Sequence, residues 1–249
     1  MIYDSGIRPA IDDYLLAKSK EERDYGDYWS ASSAGYCHRK LVFDRLGVPS
    51  ITKDDDGRKQ RVFTAGHIFH EWVQRITKST GLSLAQELEL QDDKLMVRGH
   101  VDDIISKDGK LILYDYKTQH SNAFSWQKGR PASHYHEMQV GTYLYLLRQL
   151  APYKKIEEAR ILKISKDDLR MDENQLFYTP VLEEIIVTYW DELNDWWNRY
   201  QLDGQLPPCT CHVYENGFMA KEKFNPYFYK GEPCSLAWHE KWKKDAVTV

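Results

Sequence analysis

Long hydrophobic runs are missing from this 249-residue chain: no apolar stretch approaches the roughly 18 residues a membrane span needs. The N-terminal stretch MIYDSGIRPAIDDYLL carries acids where a secretion signal would be basic. These two absences predict a soluble, cytoplasmic protein. An excess of one charge is missing too, since 34 Lys and Arg meet 38 Asp and Glu for a net charge of -4. The whole-molecule field therefore does not favour nucleic acid, and any such site must be local. Candidate basic patches are RKQR at 58–61 and CHRK at 37–40, although charge clusters are commonly just solvated faces. Cysteine is scarce at four residues, and without a secretion signal disulfides are not expected. Internal repeats, low-complexity tracts and a Walker A glycine loop, the mark of a helicase motor, are all absent.

What is present suffices for one large domain, or for a core with an attached lobe. Residues 1–60 read as a helical region around SASSAGYCHRKLVFDRLG, closed by the polar loop TKDDDGRKQR. Residues 61–170 carry the core pattern. A helix over 62–78 places Ala65, Ile68, Phe69, Trp72, Val73 and Ile76 on one arc. Three strand-like runs follow, LSLAQELEL, KLMVRGHVDDII and KLILYDYKT, joined by Asp-rich turns. A helix from about 134 to 150 and the strand EARILKIS complete an α/β core with a mixed sheet. Residues 171–249 supply a long helix, VLEEIIVTYWDELNDWWNRY, and a cysteine-bearing tail. The aromatic cluster of Tyr189, Trp190, Trp196, Trp197 and Tyr200 recurs at helical spacing, so it reads as packing surface and not as a base-stacking platform.

The chemistry concentrates on GHVDDIISKDGKLILYDYKTQ, residues 99–119. If Asp108-Gly109 centres a two-residue hairpin turn, facing residue numbers sum to 217, and Asp102 faces Asp115. Opposed like charges on neighbouring strands are destabilising unless something compensates. A divalent cation does so, because Mg2+ and Mn2+ prefer carboxylate oxygens. Lys117 shares a face with Asp115, two positions along the strand. Two carboxylates and an ammonium suit phosphodiester hydrolysis: the metal activates water and polarises phosphate while the lysine orients hydroxide or stabilises charge. The pattern Asp-x-Lys occurs at Asp92, Asp108 and Asp115, and only the last follows an apolar strand. The competing reading is a pair of rim aspartates neutralised by Lys117.

Two helices contribute further candidates. His70 lies at the border of the apolar arc and can reach a metal beside the sheet, whereas His67 falls on the polar side. Gln139 and Tyr143 stand one turn apart on the later helix, and both can donate to phosphate or to metal-bound water.

Taken in order, Gly66-x-x-x-His70, Gly99-x-x-Asp102, Asp115-Tyr116-Lys117 and Gln139-x-x-x-Tyr143 resemble the motif series of RecB-like nucleases in the PD-(D/E)XK superfamily. The resemblance covers roughly residues 60–165. It implies a restriction-endonuclease-like core: helix, three-stranded antiparallel meander, helix, strand. It further implies His70, Asp102, Asp115 and the Tyr116 carbonyl as Mg2+ or Mn2+ ligands, Lys117 as catalytic lysine, and Gln139 and Tyr143 as DNA-holding residues. Cys37 before the core and Cys209, Cys211 and Cys234 after it look like the iron-sulfur subset of these nucleases, which includes CRISPR-associated and AddB-type members. There a [4Fe-4S] cluster staples the N-terminal region to the tail. The spacing departs from that subset, with one residue between Cys209 and Cys211 and 22 between Cys211 and Cys234. Zinc is the alternative metal, with His212 or His38 as stand-in ligands.

The expectation is a metal-dependent deoxyribonuclease, an exonuclease on DNA ends or single strands, serving recombination, repair or phage DNA metabolism in a bacterial or phage-infected cell. It would act alone or beside a separate helicase. Two alternatives stay open: a structure-selective or restriction-like endonuclease on the same fold, and a non-catalytic DNA-binding or assembly module.

Overall fold

The computed structural model describes residues 6–19, 26–51, 56–214, 220–221 and 224–247. In chain order, α1 (Ile7–Ser19) precedes a two-residue strand β1 (Trp29–Ser30), α2 (His38–Arg45) and the long α3 (Asp56–Ser79). The apolar alternation that follows becomes β2 (Ser83–Asp92), β3 (Val97–Lys107) and β4 (Lys110–Gln119). Then come a short α4 (Ser121–Gln127), α5 (His134–Gln149), β5 (Glu158–Ser165), β6 (Met171–Phe177) and α6 (Pro180–Asp203). The tail holds α7 (Cys211–Tyr214) and α8 (Leu236–Val247).

Six strands form one mixed sheet. The Asp108-Gly109 turn has positive φ at both residues, 52° and 74°, as the tight hairpin requires. From it, β3 and β4 pair outward through Lys107 with Lys110, Ile105 with Ile112 and Asp103 with Tyr114. Every pair sums to 217, the expected register. The ladder stops there, however, one position short of Asp102 and Asp115. β4 leaves β3 and continues parallel to β5, from Ile112 beside Glu158 to Gln119 beside Ser165. β2 pairs along β3 from Asp92 with Val97 to Ser83 with Ile105, so β1 and β4 must share the opposite edge of β3. Because β1 meets only Val97 and Arg98, residues 99–102 of that edge have no strand partner among the described residues. The Gly99-to-Asp102 motif therefore lines a fork in the sheet.

The main core lies on one face, where Val140, Leu144 and Leu147 of α5 and Ile186, Trp190 and Leu193 of α6 pack against Val97, Val101, Ile104, Leu113 and Ile161. Removing a side chain such as the fully buried Trp190 from water contributes about 2–3 kcal/mol. Four of the five cluster aromatics serve packing: Tyr189 and Trp190 are buried and Trp197 and Tyr200 pack against this core, while Trp196 is half-buried outside it. On the other face, Val73 and Phe69 of α3 meet Tyr116 and Ile164.

Two expectations are corrected. The helix expected over 62–78 begins at Asp56, so RKQR lies on α3 and not in a loop, and Arg61 pairs with Asp12 of α1. The helix is also turned about its axis: Ile68, Trp72 and Ile76 are exposed, whereas Gln74 is buried and Thr77 half-buried. The cause is polar, since Gln74 and Thr77 hydrogen-bond to β3. Beyond residue 170, β6 pairs antiparallel with β5 from Glu158 with Phe177 to Ile164 with Met171.

Candidate active site and cysteine cluster

The fork gathers side chains from α3, β3, β4 and α5. Asp102 does not face Asp115 as a ladder pair. Instead its Oδ2 accepts the Tyr116 backbone N–H at 2.6 Å, capping the point where β4 departs. Its Oδ1 lies 3.5 Å from His70 Nδ1, which α3 presents toward the sheet. Gly66 lies one turn earlier beside β4, where a Cβ would meet Thr118 Oγ1 at 3.4 Å, an ordinary contact. Asp115 is 2% exposed, and Lys117 Nζ lies 3.0 and 3.1 Å from its two oxygens. The same Nζ donates to Gln139 Oε1 at 2.9 Å, and Gln139 Nε2 donates to Tyr143 OH at 3.2 Å. Because an ammonium cannot accept, the Gln139 amide has only one consistent orientation. Both Gln139 and Tyr143 are buried, and Tyr143 is linked to Lys117 through the Gln139 amide.

The electrostatics separate the two carboxylates. Burial pushes Asp115 up to about 6 against the pull of Lys117. Burial would raise Asp102 as well, but the His70 contact, the Lys117 charge and the Tyr116 N–H outweigh it, holding Asp102 below the usual range. His70 responds in kind: Asp102 overcomes the effect of burial and lifts the imidazole above its ordinary value. His67 is exposed and remains outside this network.

Sequence reasoning missed the polar layer beneath. Asp103 is fully buried, yet it accepts from Thr77 Oγ1 at 2.6 Å, Ser83 Oγ at 2.6 Å, Tyr116 OH at 3.0 Å and Gln86 Nε2 at 3.3 Å. Gln74 Nε2 donates to the Asp102 carbonyl at 2.8 Å. This layer orients α3 and so aims His70. Its signal was the second aspartate of HVDDII, an acid at a strand position that alternation sends inward. Lys163 was missed as well. It lies beside Lys117 in the register of β4 and β5, buried, with Nζ 2.7 Å from Asp172 Oδ2.

A second cluster lies in the tail. Cys37, Cys209, Cys211 and Cys234 bring their sulfurs within 4.8 Å of one another, and neither His38 nor His212 belongs to the group. Phe43, Val48, Ala220 and Tyr227 surround it, so the N-terminal region and the tail share one small core. Crowding divides the thiols: hydrogen bonding, from Cys209 first, holds Cys37 well down, while Cys209 pushes Cys211 and Cys234 up. Four convergent sulfurs are a donor set for a soft or borderline metal, which binds them as thiolates. Among the described residues, no other group of three or more His, Cys, Asp or Glu gathers its ligand atoms so tightly.

The sequence profile of the PD-(D/E)XK nuclease superfamily matches residues 41–200, which span the fork and both core faces. Among solved structures, the protein SSO0001 superposes with a TM-score of 0.53 at 20% identity, covering 78% of this chain and 87% of its own. An alkaline exonuclease from Laribacter hongkongensis, LHK-Exo, gives 0.39 at 13% identity over 69% of this chain and 96% of its own. A phage-related exonuclease from Haemophilus somnus gives 0.41 at 15% identity over 66% and 82%. No curated protein matches the chain. The profile match spans more than half of the sequence and contains the forked β3–β4 pair with its acids and lysine, so the chain belongs to the PD-(D/E)XK nuclease superfamily.

Proposed function

We propose that the chain is a divalent-metal-dependent deoxyribonuclease that hydrolyses phosphodiester bonds at DNA ends or in single strands. The observation that carries this reading is the continuous network from Tyr143 through Gln139 and Lys117 to Asp115, beside the His70–Asp102 pair. Superfamily membership favours it over a non-catalytic module, and a rim of exposed aspartates is disfavoured because Asp115 is buried.

His70, Asp102, Asp115 and the Tyr116 carbonyl are the residues that would hold Mg2+ or Mn2+. They fit the group: the donors are hard oxygens and one imidazole, and buried Asp115 Oδ2 has the Lys117 ammonium at 3.0 Å as its ion-pair partner but accepts no further hydrogen bond. A bound cation lowers the pKa of its water and polarises the phosphate. Lys117, fixed between Asp115 and Gln139, would orient the attacking water and stabilise charge developing on the phosphate oxygens. Gln139 and Tyr143 were expected to hold DNA, but their buried, inward-facing polar atoms support positioning of Lys117 better.

The end-directed reading rests on the motif order shared with RecB-like nucleases. Labelled linear DNA should lose its terminal label while closed circular DNA survives, and cleavage of the circle would favour the restriction-like endonuclease. Roles in recombination, repair or phage DNA metabolism, beside a separate helicase, follow from the same likeness.

The cysteines are proposed as a structural metal centre, with a [4Fe-4S] cluster as the first reading. One observation favours zinc: sulfurs within 4.8 Å suit a single tetrahedral ion, with Zn–S near 2.3 Å, whereas a cubane puts a separate iron at each sulfur and spreads them further. Elemental analysis and visible absorption of anaerobically purified protein decide between them.

A further inference from the structure

We propose that Asn225 is the outer hydrogen-bond donor that controls charge on the cysteine sulfurs and retains the metal they hold. Asn225 is fully buried, with Nδ2 3.3 Å from Cys211 Sγ and 3.4 Å from Cys234 Sγ. Its Oδ1 accepts the Tyr227 backbone N–H at 2.9 Å and lies further, 3.9 Å, from Cys234 Sγ, which turns the NH2 toward the sulfurs. Tyr227 is itself anchored, donating through its hydroxyl to Asp44 at 2.6 Å and packing edge-on against Phe43. A third donor, the Thr210 backbone N–H, reaches Cys37 Sγ at 3.3 Å.

The energetics point the same way. Asn225 is fully buried against Cys211 and Cys234, which belong to the small apolar core of Phe43, Val48, Ala220 and Tyr227, and an amide there without strong acceptors costs free energy that an aliphatic side chain would not. A neutral thiol is a weak acceptor, while a metal-bound thiolate is a strong one. The arrangement is therefore stabilising when Cys211 and Cys234 carry charge. Donation draws electron density from those sulfurs, which slows loss of the metal and, for an iron cluster, raises the reduction potential. This inference rests on the reading of the four cysteines as metal ligands, whichever metal they bind.

The test compares the full-length chain with Asn225→Asp and Asn225→Leu, all purified anaerobically. Asn225→Asp keeps the acceptor for the Tyr227 N–H and removes the donors, and Asn225→Leu fills the space without polar atoms. Metal content is measured first, then the rate of metal release to excess chelator, then the reduction potential if iron is present. The expected result is release about 10-fold or more faster in both variants, with a lowered potential and an unchanged far-UV spectrum. Release and potential within about twofold of wild type would overturn the proposal. Failure of the underlying reading looks different: wild type itself binds neither iron nor zinc, which overturns both. A readout independent of variants is the cadmium-substituted wild-type protein, in which the Asn225 amide protons should couple to the 113Cd nucleus. Absence of that coupling with cadmium bound would contradict the inference.

Discussion

Asp102 and Asp103 are neighbours in sequence with opposite tasks. The first turns to the fork and meets His70 and the Tyr116 N–H, while the second is buried under donors from α3, β2 and β4. Asp103→Ala would strand several buried donors at once and is expected to destabilise the fold by about 3 kcal/mol, read as a lowered denaturation midpoint at unchanged m-value. Asp102→Ala should leave stability much closer to wild type, so equal losses would show that the division is wrong. His136, on the first turn of α5, gives a pH prediction. Burial first, then the charges of Lys117 and Lys163, lower its imidazole from 6.5 to about 4. Between those values the unfolded chain binds a proton that the folded chain does not. Its contribution to stability is therefore fully present above about pH 6.5 and is lost as pH falls toward 4. Asp115, raised from 3.8 to about 6, works in the opposite direction over an overlapping range, so the His136 effect is read as a difference. Urea titrations across this window should show a smaller acid-side loss in His136→Gln than in wild type, and parallel curves would refute the assignment.

At the scale of elements, the hairpin was legible because its turn chemistry and its period of two agree, and the register followed by counting from Asp108-Gly109. The fork was not. Its end at Asp103 and Tyr114 depends on a side-chain-to-backbone bond, Asp102 to Tyr116, that no periodicity encodes. The rotation of α3 was misread for a related reason: apolar spacing pointed to Ile68, Trp72 and Ile76, but the polar layer around Asp103 holds Gln74 and Thr77 inward. β6 escaped notice because MDENQLF is a polar strand in which no residue is fully buried, carried by its pairing with β5. The Gly99 motif acquires a packing meaning here. A Cβ at Gly99 would sit 2.8 Å from both Ala31 Cβ and Tyr143 Cε1, so β3 and α5 can approach only with glycine. Gly99→Ala should cost about 1–3 kcal/mol by overpacking and displace Tyr143, lowering turnover as well as the melting temperature. A fully active, equally stable variant would mean that the close approach is dispensable.

Across the whole molecule, the cysteine cluster links residues separated by nearly the full chain, Cys37 beside α2 and Cys234 before α8. Residue type and the one-plus-three distribution pointed to all four, and their sulfurs lie together despite the uneven spacing. Chelation of the bound metal should loosen the N-terminal region and the tail together while the sheet stays intact. Hydrogen exchange would register this as lost protection near residues 37–48 and 225–239, with β3, β4 and β5 unchanged; uniform loss over the chain would show that the cluster supports the whole fold. No helix among the described residues is long and apolar enough to cross a membrane. The central claim is that the fork performs metal-dependent hydrolysis through Lys117. The most direct measurement is single-turnover cleavage of end-labelled DNA by wild type and Lys117→Ala, each with Mg2+ or Mn2+ and with chelator. Wild type should release label only with metal, and the variant should be about 10²–10³-fold slower or inactive. Cleavage that persists in chelator, or a variant that keeps the wild-type rate, would contradict the account.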